Sequence, residues 1–306
     1  MRSALYRLGV GTCLALLVCA AHAKLNVVAT LPDFGSIAQD IGGDQVKVTS
    51  IARGTEDPHF VDAKPSYIRV LNQADVLIEG GADLEVGWLP PLVNSARNAK
   101  ILAEAPGHVV LSHRVALLEV PMGQVDRSMG DVHPFGNPHY WLDPFNGRII
   151  AETLAERFSQ LDPPNAAVYA ANLKEFDKRL DRKMEDWTKL LEPYRGTKVV
   201  TYHKSYEYFL ARFGLSLAGT VEPKPGVEPS PSYINGLIPR AKEAKVRLVL
   251  IEPFRARKTP AYVADAAGAT LLVLPQSVGG NEKVKDYIGL IDYDVAQIAA
   301  ALKESK

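Results

Sequence analysis

NAAVYAANLKEFDKRLDRKMEDWTKLL, residues 165–191, decides the architecture. Tyr169, Leu173, Phe176, Leu180, Met184, Trp187 and Leu191 recur at steps of three and four, which is the apolar stripe of one long amphipathic helix. Its opposite face carries Lys174, Glu175, Arg179, Asp181, Arg182, Glu185 and Lys189, with favourable i,i+4 pairs at Glu175–Arg179 and Glu185–Lys189. At 1.5 Å per residue such a helix runs roughly 40 Å, longer than a small domain is wide, so it reads as a stiff connector.

Both sides of this helix alternate strand and helix. Before it, Leu25–Thr30, Val46–Ile51, Asp75–Glu79 and Val109–Leu111 read as strands, and Asp33–Ile41, Pro65–Gln73 and Leu84–Ala96 as helices. After it, Lys198–Thr201, Leu215–Thr220, Arg247–Ile251 and Leu271–Leu274 read as strands, separated by helices over 203–213, 232–244, 259–267 and 287–303. The expected fold class is α/β: two similar lobes with mostly parallel sheets, joined by one long rigid helix. The expected divisions are a leader over 1–23, an N-terminal lobe over 24–160, the connecting helix within 161–195 and a C-terminal lobe over 196–306.

The leader is an expectation from composition. Arg2 and Arg7 precede an apolar run from Leu8 to Ala21 that ends on Ala21-His22-Ala23, the pattern of a secretory signal peptide. Both cysteines, Cys13 and Cys19, lie inside it, so the remaining 283 residues can form neither a disulfide nor a cysteine metal site. Lipidation of Cys19 is the competing reading, but Val18 is bulky where such signals want a small residue, so a free periplasmic protein is preferred. Basic and acidic residues number 35 each, without blocks of like charge, which argues against nucleic acid or anionic membranes as partners. A monomer is expected.

Candidate chemistry lies in the histidines. In open α/β sheets ligands gather beyond the carboxyl ends of strands, and His59 and His203 both follow predicted strands. Asp57-Pro58-His59 and Asn137-Pro138-His139 share an Asx-Pro-His pattern in which proline restricts itself and the residue before it, so each imidazole is delivered on stiff backbone. Asp143 and Pro144 supply an N-cap and N1 residue just beyond His139, and Trp141 is expected to anchor this loop in the N-lobe core. Three neutral imidazoles from separate loops suit a borderline divalent metal, above all zinc. The bland alternative is surface or hydrogen-bonding histidines. His133 stands in the patternless 112–135 segment with Met122, Met129 and Asp131; it reads as a solvated loop histidine, or as a weak first contact for an arriving metal. His108 and His113 carry no assigned role. The proline-rich loop 222–231 reads as a stiff connector capped by Ser230, with direct metal contact by Glu222 or Glu228 as the alternative.

DPHFVDAKPS, NPHYWLDP, YHKSYEYF and EPKPGVEPSPS, in this order and spacing, closely resemble the zinc- and manganese-binding receptors of bacterial ABC importers, the TroA-like solute-binding proteins. The resemblance covers essentially the whole chain after the leader. It implies a periplasmic binding protein of the helical-backbone type, with a metal held between the lobes and passed to an importer's membrane permease. The ligands it implies are His59 and His139 from the N-lobe and His203 from the C-lobe. A histidine at 203, where manganese binders of the family carry glutamate, favours zinc over manganese as the transported ion. The family's fourth ligand, an aspartate, is replaced in LPQSVGG (274–280), leaving Gln276, Glu222 or a water to complete the sphere. The histidine-rich insertion common in the family is short here. Whether a periplasmic metallochaperone hands zinc to the loop around His133 is left open.

Two other functions compete. A zinc hydrolase also holds its metal by three histidines and water, but needs a general base that only Glu222 or Glu228 could supply. A receptor for a metal chelate or small organic ligand would need a roomy pocket, which Tyr140, Trp141, Tyr202, Tyr206 and Tyr208 could line. Because the connecting helix lacks glycine and interior proline, only modest lobe movement is expected, with release through loop rearrangement when the permease docks.

Overall fold

A computed structural model describes residues 23–123, 130 and 132–304. The expected leader up to residue 22, with Cys13 and Cys19, lies outside the described residues, as do Met129 and Asp131.

Strands β1 (Leu25–Ala29), β2 (Val46–Ser50), β3 (Val76–Glu79) and β4 (His108–Val110) form one sheet in the order β2-β1-β3-β4, parallel throughout. Strands β5 (Lys198–Thr201), β6 (Ser216–Thr220), β7 (Leu248–Ile251) and β8 (Thr270–Val273) form a second in the matching order β6-β5-β7-β8, also parallel. Runs such as Val-Leu-Ile in β3 and Leu-Val-Leu-Ile in β7 are buried along their length, as strands covered on both faces must be. The helices that cover them are α1 (Pro32–Gly42), α2 (Pro65–Asn72), α3 (Leu89–Ala96), α4 (Pro144–Leu161), α5 (Ala166–Leu191), α6 (Glu207–Phe213), α7 (Pro231–Glu243), α8 (Lys258–Ala267) and α9 (Tyr287–Glu304). The two-lobed α/β architecture is therefore as read from the sequence. Among the described residues no helix is long and apolar enough to cross a membrane.

Two boundaries differ instructively. A helix beginning at Leu84 would carry Pro90 and Pro91 in its interior, where each lacks a donor and clashes with the preceding turn. The chain instead makes turns through Trp88, with Ala82 and Asp83 at positive φ, and starts α3 at Leu89. Similarly, α6 begins at Glu207 rather than 203, so His203 stands on a turn directly after β5.

Helix α5 is the expected connector. Tyr169, Phe176, Leu180, Trp187 and Leu191 are buried, while Leu173 and Met184 pack at the core margin. Its N-terminal half holds α1, through Asn172 donating to the Ile41 carbonyl and Arg179 pairing with Asp40. Its C-terminal half holds α9, where Lys183 and the Trp187 indole both donate to Asp292. One continuous hydrophobic cluster runs from Val27, Phe34 and Trp141 to Val199, Leu248 and Ile291, so the lobes share a core.

Polar contacts add to this join. The Val278 amide donates to the Asp33 carboxylate at 2.9 Å, the Tyr287 amide to Ser36 Oγ at 2.9 Å, and the Tyr287 hydroxyl to the Trp141 carbonyl at 2.6 Å. Trp141 donates its indole N–H to the Gln276 carbonyl at 2.8 Å, so it anchors its loop across the lobes rather than in the N-lobe alone. At Gly54 the two backbones approach so closely that an added Cβ would lie 2.1 Å from the Val278 carbonyl oxygen.

Candidate metal centre

The loops after β2, β4 and β5 bring His59, His139 and His203 together, with one ligand atom of each lying within 4.8 Å of the others. The ring centroids are 5.1 to 5.4 Å apart. The side chain of His59 is 7 % exposed, and His139 and His203 are 1 % and 4 % exposed. Among the described residues this is the only group of three or more histidine, cysteine or carboxylate side chains so arranged.

Each imidazole is oriented from behind. His59 Nδ1 donates to Asp57 Oδ1 at 2.8 Å, and the His59 amide donates to the same oxygen at 3.1 Å. His139 repeats this on Asn137 Oδ1, at 2.9 Å from Nδ1 and 3.0 Å from the amide. The Asx-Pro-His tripeptide is thus a self-contained mount: proline sets the backbone, and the Asx oxygen captures both nitrogens of the histidine two residues on. His203 lacks the tripeptide, and its Nδ1 donates to Glu222 Oε2, 19 residues along, at 2.8 Å. Carboxylates only accept, so His59 and His203 carry their proton on Nδ1 and offer a lone pair at Nε2. Asn137 reaches the same result because its amide nitrogen is occupied, donating to Glu119 Oε2 and the Lys204 carbonyl, which turns the amide oxygen toward His139. His139 Nε2 is buried and has no hydrogen-bond partner among the described residues. A buried orphan lone pair is costly unless something electrophilic meets it.

Burial pushes the pKa values of His59 and His139 below the ordinary imidazole value, and the neighbouring histidines push in the same direction for both. Burial alone would raise Asp57, but the bonds donated by His59 and the charge of Arg255 outweigh it and hold the carboxyl at about 2. His59 and His139 are therefore neutral imidazoles at neutral pH, the first held against an ionised carboxylate, as divalent-metal capture requires.

His133 departs from the solvated role expected of it. Its Nε2 lies 3.2 Å from His59 Nε2 and its ring stacks on His59 at 5.2 Å. Burial and the charges of His59 and His203 lower its pKa to about 3. Two donors of a tetrahedral ion with bonds of 2.0 to 2.1 Å are about 3.3 Å apart, so this separation already matches a shared metal. Nothing local in the sequence marks His133; the fold brings it in from 74 residues away.

Glu222 is not free to close the sphere. Its Oε2 accepts from His203 and from the Gly226 amide, and its Oε1 faces Arg255 at 3.4 Å. Gln276 is buried at the interface with its carbonyl held by Trp141 and, among the described residues, its Oε1 without a hydrogen-bond partner. Ser230 caps α7 and Asp143 caps α4 with Pro144 at N1, as read from the sequence. Arg255, after β7, escaped sequence reasoning altogether. His108 pairs with Glu79, away from the centre.

The adjoining cavity, of about 90 Å³, is lined by Glu119, Val132, His133, Asn137, His139 and His203. That is room for an ion and a few waters, well below the roughly 300 Å³ at which small-molecule sites begin. Three of the four tyrosines that could have lined an organic pocket are engaged: Tyr140 donates to the Gly80 carbonyl, Tyr206 to the Leu274 carbonyl and Tyr208 to the Asn137 carbonyl, while the Tyr202 ring lies against Arg255.

Comparisons with known proteins bear on the fold and the family. A family model described as the periplasmic zinc-uptake complex component A, ZnuA, matches residues 27–301. The metal ABC transporter substrate-binding lipoprotein ScbA of Streptococcus cristatus is 27 % identical over 289 residues, spanning 92 % of this chain and 90 % of its own. The manganese ABC transporter substrate-binding lipoprotein PsaA of Streptococcus pneumoniae is 27 % identical over 289 residues, spanning 91 % and 89 %. A crystal structure of a ZnuA deletion mutant with zinc bound superposes with a TM-score of 0.75 at 26 % identity, covering 91 % of this chain and 98 % of that one. FpvC of Pseudomonas aeruginosa, in complex with Mn2+, shares the fold with a TM-score of 0.76 at 24 % identity, covering 92 % and 100 %. The chain belongs to the zinc-uptake complex component A family: it is a substrate-binding protein that captures metal for an ABC importer, and not an enzyme.

Proposed function

We propose that the captured ion is zinc, held by Nε2 of His59, His139 and His203, with His133 as a fourth, exchangeable donor. The observation that carries this reading is the common mounting of the three imidazoles, each with Nδ1 bonded to an oxygen behind it. A donor set of imidazole nitrogens, with Asp57 and Glu222 both engaged behind the rings, favours zinc over manganese, which prefers oxygen. The names of relatives include both metals, so selectivity rests on the donor chemistry of this chain. The decisive experiment is metal analysis and competitive titration with zinc and manganese of the chain from Lys24, beside His139→Ala. One tightly bound zinc per chain, displaced poorly by manganese and lost in the variant, is expected; preferential manganese binding would reject the metal assignment, and retention by the variant the site.

On this reading the protein works outside the cytoplasmic membrane, delivering zinc to an importer's permease. The lobes divide as 24–160 and 196–306 about the helix within 161–195. ScbA and PsaA are named as lipoproteins, so they lend no support to the sequence-based preference for a free periplasmic form over an anchor at Cys19. The intact mass of the exported protein decides between Lys24 and a lipidated Cys19 as its first residue.

A further inference from the structure

Behind the histidines, one guanidinium joins the two lobes. Arg255 Nη2 lies 3.0 Å from Asp57 Oδ2 in the N-terminal lobe, and Nη1 lies 3.4 Å from Glu222 Oε1 in the C-terminal lobe. These are the free oxygens of the two carboxylates whose other oxygens hold His59 and His203. The guanidinium also lies over the rings of Tyr202 and Phe254, at 5.4 and 5.3 Å from their centroids. Its side chain is 19 % exposed, against 14 % and 5 % for its two partners, so the charges meet largely away from water.

From this arrangement we infer that Arg255 is a specificity-determining residue: it keeps both carboxylates engaged behind the imidazoles, so that the ion meets nitrogen donors and not oxygen. The inference rests on the zinc site proposed above. Two buried carboxylates beside a divalent ion are ordinarily the strongest oxygen donors available to it, and oxygen donors are what manganese favours. A planar fork with parallel donors can satisfy one oxygen of each carboxylate at once, whereas a single ammonium is a point charge. Its attraction to the rings of Tyr202 and Phe254 further restrains the fork. Arg255 thereby links the orientation of an N-lobe histidine to that of a C-lobe histidine without touching either.

The test measures zinc and manganese affinities, by competition, for the chain from Lys24 and its Arg255→Met, Arg255→Lys and His139→Ala variants. Loss of an orienting partner ordinarily weakens a metal site by about 10- to 100-fold. Arg255→Met is expected to weaken zinc by that order while manganese holds or strengthens, so the zinc-to-manganese preference falls. Arg255→Lys, which keeps the charge but not the fork, should recover the preference only in part, and it carries the test alone if the methionine variant does not fold. An unchanged preference in the folded variants, or equal losses for both metals, would overturn the inference by reducing Arg255 to a stabilising residue. If His139→Ala retains tightly bound zinc, the site itself is wrong and the role of Arg255 falls with it. Loss in His139→Ala beside an unchanged preference in the Arg255 variants rejects the role of Arg255 alone.

Discussion

Asp57-Pro58-His59 and Asn137-Pro138-His139 are nearly the same object locally, and opposite objects one shell further out. In both, an Asx oxygen accepts from the amide and Nδ1 of the histidine. The first mount is anionic: Asp57 spends its second oxygen on Arg255, and the Pro58 carbonyl accepts from the Trp88 indole. The second is neutral: Asn137 spends its amide nitrogen on Glu119 and the Lys204 carbonyl, and its own carbonyl accepts from Tyr208. Orientation of an imidazole is thus a property of the tripeptide, whereas the charge behind it is set by whatever the fold brings alongside.

The comparison breaks most completely if either histidine proves dispensable. His59→Ala and His139→Ala should each lower zinc affinity by more than the roughly 100-fold upper range of an orienting partner, as should His203→Ala, all read by competitive titration.

Next in size are the mounts themselves. Asp57→Ala and Asn137→Ala are each expected to cost about 10- to 100-fold in zinc affinity. Exchanging the mounts separates them. Asp57→Asn keeps the oxygen that holds His59 and loses the Arg255 pair. Asn137→Asp loses two donated bonds and sets a carboxylate against Glu119, so it should destabilise the metal-free fold by about 1–3 kcal/mol more than Asp57→Asn, measured by denaturant midpoint. Equal destabilisation would mean that the outer partners are interchangeable after all.

A smaller effect concerns pH. The folded-state pKa of His133, about 3, lies below the ordinary 6.5, so between those values the unfolded chain binds the extra proton. Its contribution to stability is intact above pH 6.5 and is lost as pH falls toward 3. Asp33 and Glu85, with pKa values raised by burial to about 7, and Glu207, raised to about 8, act oppositely, losing stability as pH rises through those values. The parent's own curve therefore mixes both signs, and the informative quantity is the difference from His133→Ala. That variant should be less acid-sensitive by up to about 2 kcal/mol at pH 5, at 1.36 kcal/mol per pKa unit. The smallest expected change is global: solution scattering of metal-free and zinc-bound protein should give superimposable curves, and a clamshell-sized difference would contradict the shared core.

What could be read in advance follows the same divide between near and far. The tripeptides, the Asp143 and Ser230 caps and the 165–191 periodicity are local patterns, and each appears where the sequence places it. Glu222 stands out in the sequence, but whether it supports a histidine or reaches a metal depends on β6 lying beside β5, which local pattern does not reveal. His133 and Arg255 carry no local signature; only the packing of distant loops gives them partners. The helix expected from Leu84 begins only at Leu89, because Pro90 and Pro91 fit a first helical turn and not a helix interior, whatever apolar pattern precedes them.

Helix α5 and the core it seals have a kinetic consequence. On the proposed site, a receptor splinted along its back would not shed its cargo by opening wide, and residence time would be governed by the lifetimes of individual nitrogen–metal bonds. Dissociation would be a stepwise substitution at the ion, in which a rival donor enters at the His133 side before an original one leaves. The rate of unloading would then scale with the concentration and geometry of competing ligands at the mouth, and very little with the stiffness of a hinge.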